Sequence, residues 1–483
     1  MQVLAIDQGT TNTKALVVDA KGRVLARATV PSHSAYPQPG WAEQSATEIW
    51  TATRTAIDRV AKEVGPETIA AIAISNQRET IVGWDAQTSA PVGPAILWQC
   101  SRTADACAKL LAAGHGPAVE AATGLAINPM FPASKIAWLV AQNSTAATLY
   151  PKGQLRIGTI DAWLLWNLTG GAVFATDHSN AARTQLFDTR TMGWSPQLGA
   201  IFGAPTDCLP RPLGSDVRFG CTAAGMTLLP AGIPIHAMMG DSHAALYGHG
   251  VRAPGIVKAT YGTGSSLMTL TPKRVPATHG VSGTIAWTKG DTPLHALEGN
   301  IFVSAQAAAF MAGLLGFGDA RALSDLAQTV EDAGGVSFVP ALSGLGAPHW
   351  DASATGTITG MTHATTPAHL ARATFEAIAL QIVDVFEAME AAIGQPLAAL
   401  SADGGASANP FLMQLQADVL GRPVDRSDVE EVGALGAAAM AFSGLGHDVD
   451  WTPVSTRFAP KITAKTRMAI RANWADALRR VKA

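Results

Sequence analysis

The sequence predicts an α/β fold, and three observations carry that prediction. Of the 483 residues, 48% are hydrophobic and only 15% are charged, which is enough apolar material to bury large sheets. Short apolar runs typical of buried strands, such as residues 69–75, alternate with helical periodicity, as over residues 46–64. Loops rich in glycine, threonine and serine follow several of these strands. At this length we expect two domains.

The chain opens with a predicted hairpin. Residues 3–7 and 14–19 are its strands, and the connecting loop is small and rich in hydroxyl groups. This loop offers backbone N–H groups, threonine hydroxyls and the cation of Lys14 to an anion. Asp7, at the end of the first strand, is placed to meet a divalent metal. The pattern favours a site for phosphate and Mg²⁺, and the alternative is an ordinary hairpin with a polar tip.

Charged residues follow the buried strand at 69–75, where open α/β sheets place their sites. Arg78 and Glu79 are either a pair that holds a vicinal diol or a structural ion pair. Trp98 is either an apolar wall for a carbon skeleton or a core residue, and Trp138 is predicted to be core.

A second unit is predicted to begin near residue 250 and to repeat the opening design. Residues 256–270 again contain a strand, a Gly/Thr/Ser loop around Thr263, and another strand. Thr366 and Pro367 are the predicted start of a long helix. A further glycine-rich loop follows a strand near residue 403. There is neither a P-loop nor a G-x-G-x-x-G motif, so any ATP site must use such loops instead.

Asp241 follows the apolar residues 233–238 and precedes a predicted helix. A carboxylate at that position can accept a proton from a substrate hydroxyl during phosphoryl transfer. The alternative is that Asp241 only caps the helix, and capping does not exclude catalysis.

Composition excludes several classes of protein. The net charge of −3 argues against a nucleic-acid groove and against a polybasic membrane patch. Four widely spaced cysteines indicate reduced thiols rather than a zinc site or a disulfide framework. No apolar run is long enough for a membrane span, and the N-terminus lacks the basic region of a signal peptide. A cytoplasmic location is therefore expected.

The chain resembles the FGGY carbohydrate kinases, and among them the glycerol kinases. The resemblance runs collinearly through nearly the whole chain. Its segments are Asp7-Gln-Gly-Thr-Thr11, Pro39-Gly-Trp41, Asn76-Gln-Arg-Glu-Thr80, Trp98-Gln-Cys-Ser-Arg-Thr103, residues 130–139, Tyr261-Gly-Thr-Gly264, Ala296-Leu-Glu-Gly299, Gly344-Leu-Gly-Ala-Pro-His-Trp-Asp351, Gly356-Thr-Ile-Thr-Gly-Met361, Asp403-Gly-Gly-Ala406 and Ala434-Leu-Gly-Ala-Ala438.

The resemblance implies two actin/hexokinase/Hsp70-like (ribonuclease H-like) α/β domains that flank an ATP cleft and close on it. Residues 1–247 would be the N-terminal domain, with the acceptor site and a phosphate loop. Residues 248–483 would be the C-terminal, nucleotide-binding domain. ATP and Mg²⁺ are the implied cofactors.

The resemblance also implies a role for individual residues. Asp241 would be the catalytic base, and Asp7 and Asp241 would lie at the Mg²⁺. The implied nucleotide contacts are Thr10, Thr11, Asn12, Lys14, Thr263, Gly405 and Asn409. The implied acceptor positions are Arg78, Glu79, Trp98, Met130, Asp241, Ser242 and Ser266. Three of these depart from glycerol kinases: Met130, Ser242 and Ser266 stand where a tyrosine, a glutamine and a phenylalanine are usual.

The expected activity is ATP-dependent phosphorylation of a small polyol, with glycerol as the first candidate acceptor and glycerol 3-phosphate as product. The altered acceptor positions keep a larger acceptor open, such as erythritol, another tetritol, or a ketopentose such as xylulose. A noncatalytic nucleotide-dependent sensor on the same fold is the other alternative. A small polyol or sugar is the expected partner, with no nucleic acid and no membrane, and a homodimer or higher homo-oligomer is expected.

Overall fold

The chain folds into alternating strands and helices, which confirms the predicted α/β class. The structure is a computed structural model that describes residues 1–449, 451 and 454–481. The strands are β1 (Gln2–Gln8), β2 (Asn12–Asp19), β3 (Val24–Pro31), β4 (Glu43–Gln44), β5 (Ile69–Asn76), β6 (Ile81–Asp85), β7 (Ala95–Ile96), β8 (Leu155–Thr159), β9 (Ala175–Asp177), β10 (Phe187–Asp188), β11 (Gly193–Trp194), β12 (Arg211–Leu213), β13 (Gly220–Cys221), β14 (Pro234–Gly240), β15 (Ile256–Tyr261), β16 (Ser265–Thr271), β17 (Ser282–Lys289), β18 (Thr292–Ile301), β19 (Ser337–Val339), β20 (Thr357–Thr359), β21 (Ala399–Asp403), β22 (Val424–Ser427) and β23 (Ser455–Phe458).

Fifteen α-helices accompany these strands in the described part of the chain. They are α1 (Ala46–Val64), α2 (Ala104–Ala112), α3 (Gly116–Thr123), α4 (Pro132–Gln142), α5 (Ser144–Leu149), α6 (Ile160–Leu168), α7 (His178–Ala181), α8 (Pro196–Phe202), α9 (Asp241–Gly248), α10 (Ala305–Leu314), α11 (Ala320–Ala327), α12 (Pro367–Ile393), α13 (Pro410–Leu420), α14 (Val432–Gly444) and α15 (Ala464–Val481). Among the described helices, none combines the length and the apolar character needed to cross a membrane.

The chain divides into two compact units. Unit 1 comprises Met1–Gly250, Gly283–Ala296 and Glu431–Thr452. Unit 2 comprises Val251–Ser282, Leu297–Glu430 and Pro453–Ala483. The chain therefore returns to unit 1 twice after residue 250, and the second return carries α14.

Unit 1 contains a six-stranded sheet in the order β13-β14-β5-β1-β2-β3. β1 is antiparallel to β2, as the opening hairpin predicts, and parallel to β5, which is in turn parallel to β14. The apolar run of β5 is buried as predicted, because it is a central strand. The carboxyl ends of β1, β5 and β14 therefore meet at one edge of this sheet.

Helix α1 covers part of unit 1's core and confirms the predicted helix over residues 46–64. Ser45 caps it by accepting a hydrogen bond from Glu48 N at 3.2 Å, and the chain leaves it at Gly65, which has a φ of 87°. Ile49, Ile57 and Val60 lie on its buried face. Full burial of side chains of this size contributes about 1.5–3 kcal/mol each relative to exposure.

Unit 2 repeats part of the arrangement of unit 1, as the sequence predicts. β15 pairs antiparallel with β16 in a hairpin and parallel with β21, in a sheet of order β17-β18-β16-β15-β21-β22-β23. Thr366 is the N-cap of α12 and Pro367 its first residue, as predicted. The carboxyl ends of β15 and β21 lie side by side, because Thr260 pairs with Asp403.

Candidate active site

The sheet of unit 1 brings three separate sequence segments to one edge. In the register of the parallel strands, Asp7 pairs with Ser75, and Met239 pairs with Ser75 from the other side. The residues that follow β5 and β14 therefore emerge next to each other. Arg78 and Asp241 meet here, although 163 residues separate them in the chain, and Arg78 Nε donates to Asp241 Oδ1 at 2.9 Å.

Asp241 is the first residue of α9 and lies directly after β14, as predicted. Its Oδ1 also accepts a hydrogen bond from Ser242 N at 2.6 Å, and its side chain is 44% exposed. The carboxylate is thus held at the N-terminus of a helix, where the helix dipole favours negative charge. It remains accessible to a ligand.

Gly240, the N-cap of α9, allows Arg78 to reach Asp241. A Cβ at this position would lie 2.5 Å from Arg78 Cδ, which is closer than Cβ atoms approach other heavy atoms in folded proteins, and 3.0 Å from His243 Nδ1. Any larger residue would displace the arginine stem. The glycine is needed because the Cγ and Cδ atoms of Arg78 pass directly over the backbone at the strand end.

Asp7 carries the second carboxylate at this edge. Its Oδ1 accepts a hydrogen bond from Ser75 Oγ at 2.9 Å. Burial raises the pKa of Asp7 to about 6, and the Ser75 hydrogen bond opposes that shift. The negative charges of Asp241 and Glu431 raise it further, whereas Lys14 lowers it. The charge of Asp241 therefore acts on Asp7, and a cation placed near both carboxylates would be stabilised.

The residues present fit a Mg²⁺ ion that is bound together with a nucleotide. Among residues 1–449, 451 and 454–481, no three His, Cys, Asp or Glu side chains are grouped to hold a metal by themselves. Mg²⁺ bound through one or two carboxylates, waters and substrate phosphates does not need such a cage. Asp7 and Asp241 would supply the two carboxylates, and a divalent cation would stabilise the charged form of Asp7, which burial disfavours.

Arg78 and Glu79 have different ionic partners. Arg78 forms an ion pair with Asp241, and Arg78 Nη2 also donates to Ser242 Oγ at 3.2 Å. Glu79 accepts a hydrogen bond from Arg183 Nε at 2.6 Å. Glu79 also has a φ of 60°, in the left-handed region, which costs a non-glycine residue of order 1 kcal/mol. Its surroundings hold this conformation against that cost.

Arg183 is a site residue that sequence reasoning missed. Its side chain is completely buried, and its guanidinium lies 5.0 Å from the ring centroid of Phe131 as well as on Glu79. It is 104 residues away from Glu79 in the chain and belongs to no motif of its own. Only the tertiary structure reveals it.

The backbone carbonyl groups of Trp98 and Met130, two predicted acceptor positions, accept hydrogen bonds from one buried lysine. Lys135 Nζ donates to the carbonyl oxygens of Leu97 at 2.7 Å, Met130 at 2.8 Å and Trp98 at 3.3 Å. Burial lowers the pKa of Lys135 to about 7. A lysine among the mostly apolar residues of α4 was the sequence signal that could have identified it. Trp138, predicted to be core, is half-buried at the margin of a hydrophobic cluster, and its ring also packs against the Arg102 guanidinium at 4.6 Å.

We expect Lys135→Met to displace Trp98 and Met130, the two predicted acceptor positions that Lys135 holds. The variant leaves buried carbonyl oxygens without a donor, which costs about 1–3 kcal/mol of unfolding free energy. It should raise KM for the acceptor several-fold while KM for ATP changes less than twofold. Urea unfolding and steady-state kinetics measure the two effects. Lys62→Met, on the exposed face of α1, is the control and should match the wild type in both assays.

The loop after β1 carries the predicted phosphate contacts of unit 1. Thr11 is exposed, Asn12 and Lys14 are half-buried on β2, and Lys14 lies directly opposite Asp7 in the antiparallel register. Gly9 N donates to Asn12 O at 2.9 Å and so tightens the turn. Thr10 differs from these residues because its hydroxyl bonds to other side chains, Trp98 and Gln77.

The remaining predicted residues lie in unit 2. Thr263 is exposed at the tip of the β15–β16 hairpin, and Thr263 O accepts from Ser304 N at 2.9 Å. Gly405 lies exposed after β21. Asn409 caps α13 through Phe411 N at 3.0 Å and also donates to Ser324 at 2.9 Å. Ser266 Oγ donates to Glu298 Oε1 at 3.3 Å.

Unit 1 thus brings together the predicted base, the predicted metal carboxylates and two acceptor side chains. Two family models match this chain in sequence order. The N-terminal domain of the FGGY family of carbohydrate kinases matches residues 2–248, and the C-terminal domain matches residues 257–445. The chain belongs to the FGGY family of carbohydrate kinases.

Relatives of this FGGY kinase carry the names of two acceptors. The apulose kinase of Pectobacterium atrosepticum is 46% identical over 92% of this chain and 90% of its own length. The glycerol kinase of Symbiobacterium thermophilum is 44% identical over 99% of this chain and 98% of its own length. The kinase class is therefore established, while the relatives differ in their named acceptor.

Solved structures match the whole FGGY kinase. The Plasmodium falciparum glycerol kinase with ADP is 30% identical with a TM-score of 0.93, covering 99% of this chain and 98% of its own. The xylulose kinase of Rhodospirillum rubrum is 25% identical with a TM-score of 0.88, covering 99% of this chain and 98% of its own. These matches confirm the predicted fold of two actin/hexokinase-like domains.

Proposed function

We propose that this FGGY kinase transfers the γ-phosphoryl group of ATP to a hydroxyl group of a small polyol or sugar. The observation that carries the proposal is the carboxylate of Asp241, which is oriented by Arg78 and open to a ligand at the end of β14. A noncatalytic sensor would not need a half-exposed carboxylate held in this way.

The site residues of unit 1 each have a definite role in this proposal. Asp241 takes the proton of the acceptor hydroxyl. The hydroxyl oxygen attacks the γ-phosphorus in line, and ADP leaves. Arg78 donates to acceptor oxygens, and Glu79, held by Arg183, accepts from acceptor hydroxyls. This fixed geometry aligns the attacking oxygen, which lowers the entropic part of the barrier.

Asp7 and Asp241 would hold Mg²⁺, which when bound offsets negative charge on the phosphates. Thr11, Asn12 and Lys14 would contact phosphate from the first hairpin, with Thr10 in the same loop. In unit 2, Thr263 would contact phosphate, and Gly405 and Asn409 would contact the nucleoside. The ADP in the structure of the related P. falciparum enzyme supports a nucleotide role for this family.

Two classes of acceptor are candidates for the substrate. Glycerol is supported by glycerol kinases that are 40–44% identical over 99% of this chain. A four- or five-carbon polyol or ketose is supported by the apulose kinase, which is 46% identical, and by the three altered acceptor positions. Where the glycerol kinases that this chain resembles carry tyrosine, glutamine and phenylalanine, it carries Met130, Ser242 and Ser266.

We take the larger acceptor as the stronger candidate. A phenylalanine replaced by serine removes an aromatic wall and leaves volume. Ser242 Oγ accepts from Arg78 Nη2 at 3.2 Å and has none of the reach of a glutamine amide. Without these groups, three-carbon glycerol would have fewer contacts, and the smaller side chains would leave room for additional hydroxymethyl groups.

A panel of acceptors in a coupled ADP-release assay tests the proposal. Glycerol, erythritol, threitol, xylulose and apulose are compared by kcat/KM at fixed ATP. We expect a four- or five-carbon compound to exceed glycerol at least tenfold. If glycerol equals or exceeds the others, glycerol is the acceptor and the larger-acceptor proposal fails. If none is phosphorylated, the function as a kinase of small polyols and sugars fails, and the sensor alternative gains support.

Met130→Tyr should shift the preference towards glycerol. The ring fills volume and restores a hydroxyl where the related glycerol kinases have one, so we expect kcat/KM for the five-carbon acceptors to fall about tenfold. Kinetics on the same panel measure the ratio of glycerol to xylulose. Met130→Leu conserves volume without a hydroxyl and should leave that ratio within twofold of wild type. An unchanged ratio in the tyrosine variant would remove Met130 from the acceptor site.

The proposed functional domains are residues 1–247 for the acceptor and first phosphate loop and residues 248–483 for the nucleotide. A homodimer or higher homo-oligomer and a cytoplasmic location stay predictions. Light scattering and cell fractionation measure them directly.

A further inference from the structure

A closed circuit of hydrogen bonds joins the loop that carries Thr10 to Trp98, the proposed apolar contact of the acceptor. Trp98 Nε1 donates to Thr10 Oγ1 at 3.0 Å, and Thr10 Oγ1 donates to Gln77 Oε1 at 3.2 Å. Gln77 Oε1 also accepts from Thr80 Oγ1 at 2.9 Å, and Thr80 Oγ1 accepts from Trp98 N at 3.2 Å. The four residues form a ring that begins and ends on Trp98.

Gln77 is the centre of this circuit. Its side chain is almost completely buried, and its Nε2 donates to Gln8 Oε1 at 3.1 Å and Gln44 Oε1 at 3.0 Å. With two hydrogen bonds donated and two accepted, its amide is fully used. Gln44 Nε2 in turn donates to Thr10 O at 2.5 Å. The backbone and the side chain of Thr10 are therefore both tied to the same buried amide network.

The direction of these bonds decides what Thr10 can do. A hydroxyl has one proton to donate, and the proton of Thr10 points to Gln77. While the circuit is intact, that proton is not available to a phosphate oxygen. Thr10 is thus better suited to transmit the position of Trp98 to its loop than to bind phosphate through its hydroxyl.

We propose that the Trp98–Thr10 hydrogen bond, held in place by Gln77 as a positioning residue, couples the proposed acceptor side chain Trp98 to the phosphate loop at Thr10. The proposal rests on the proposed function of both segments. A ligand that fixes the Trp98 ring also fixes the Thr10 loop, and a nucleotide that orders the loop also orders the ring. Such coupling is reciprocal, and typical coupling factors are about 5- to 150-fold in affinity.

The test measures MgADP affinity by calorimetry on the full chain, with no acceptor present. Trp98→Phe keeps the ring but removes the indole N–H, and Thr10→Val removes the hydroxyl at constant shape. We expect each to weaken MgADP binding about fivefold or more, and the double variant to be no weaker than Thr10→Val alone. Thr10→Ser keeps the hydroxyl and should bind MgADP more tightly than Thr10→Val does.

Trp163→Phe is the matched control, because it also removes one indole hydrogen bond, from Trp163 Nε1 to Ala46 O, outside the circuit. It should bind MgADP as the wild type does. Wild-type affinity in Trp98→Phe, or effects of the two circuit variants that multiply, would overturn the coupling. Either result would leave the proposed function untouched, because the acceptor panel tests that function separately. Thermal unfolding verifies that each variant is folded.

Discussion

Asp241→Asn should reduce kcat by about 10²–10⁴-fold, the usual contribution of a general base. The amide preserves the size of the side chain and an oxygen that can accept from Arg78 Nε and Ser242 N. It cannot take a proton from an acceptor hydroxyl. MgADP affinity should change little in comparison, because the nucleotide is proposed to be held chiefly by other residues.

Because the carboxylate is 44% exposed and the amide keeps an acceptor oxygen, the loss of charge next to Arg78 should lower the unfolding free energy by at most about 1 kcal/mol. Asp19→Asn is a matched control, since Asp19 likewise accepts from an arginine Nε, at 2.7 Å, and from backbone N–H groups. It should turn over at the wild-type rate. A kcat for Asp241→Asn within tenfold of wild type would exclude Asp241 as the base.

Arg183→Met should be the most destabilising single change at the site. It leaves the Glu79 carboxylate buried without its partner, and breaking a buried ion pair costs about 3–5 kcal/mol. The acceptor KM should rise at least tenfold, because Glu79 loses the contact that orients it. Chemical denaturation and steady-state kinetics on the best acceptor of the panel measure the two effects.

Removing the unpaired Glu79 charge separates the effect on stability from the effect on acceptor binding. Glu79→Gln combined with Arg183→Met should regain part of the lost stability but none of the acceptor affinity. Arg190→Met breaks an ion pair to Asp188 whose arginine is 53% exposed, so it should cost at most about 1 kcal/mol. If Arg183→Met is destabilised but keeps the wild-type acceptor KM, Arg183 serves the fold and not the acceptor site.

Local patterns were sufficient to predict the elements that carry the candidate site. The boundaries of α1 agree with the periodicity and cap of residues 45–64, and both hairpins form where a glycine- and threonine-rich loop interrupts an apolar run. Asp241 lies at the end of a strand and the start of a helix, as predicted. These features depend on residues close together in the chain, so the sequence determines them directly.

The partners of the site residues could not be predicted in this way. Nothing near Glu79 in the sequence indicates Arg183, and nothing near Trp98 indicates that its indole would bond to Thr10, 88 residues earlier. Gln77 stood inside a recognised motif, yet its role depends on three hydrogen bonds to other segments, those of Thr10, Gln8 and Gln44. A one-residue change in strand register would alter these contacts without changing any local pattern.

The sequence by itself determined the α/β class, the family resemblance and the residue types available for chemistry. It did so because strand and helix periodicity, turn chemistry and motif spacing are local properties. Only the tertiary structure decided that Arg78 meets Asp241, that Glu79 rests on Arg183, and that the hydroxyl of Thr10 serves Gln77. Those contacts join segments about 70–160 residues apart, and parallel strands bring such segments together only once the sheet has formed.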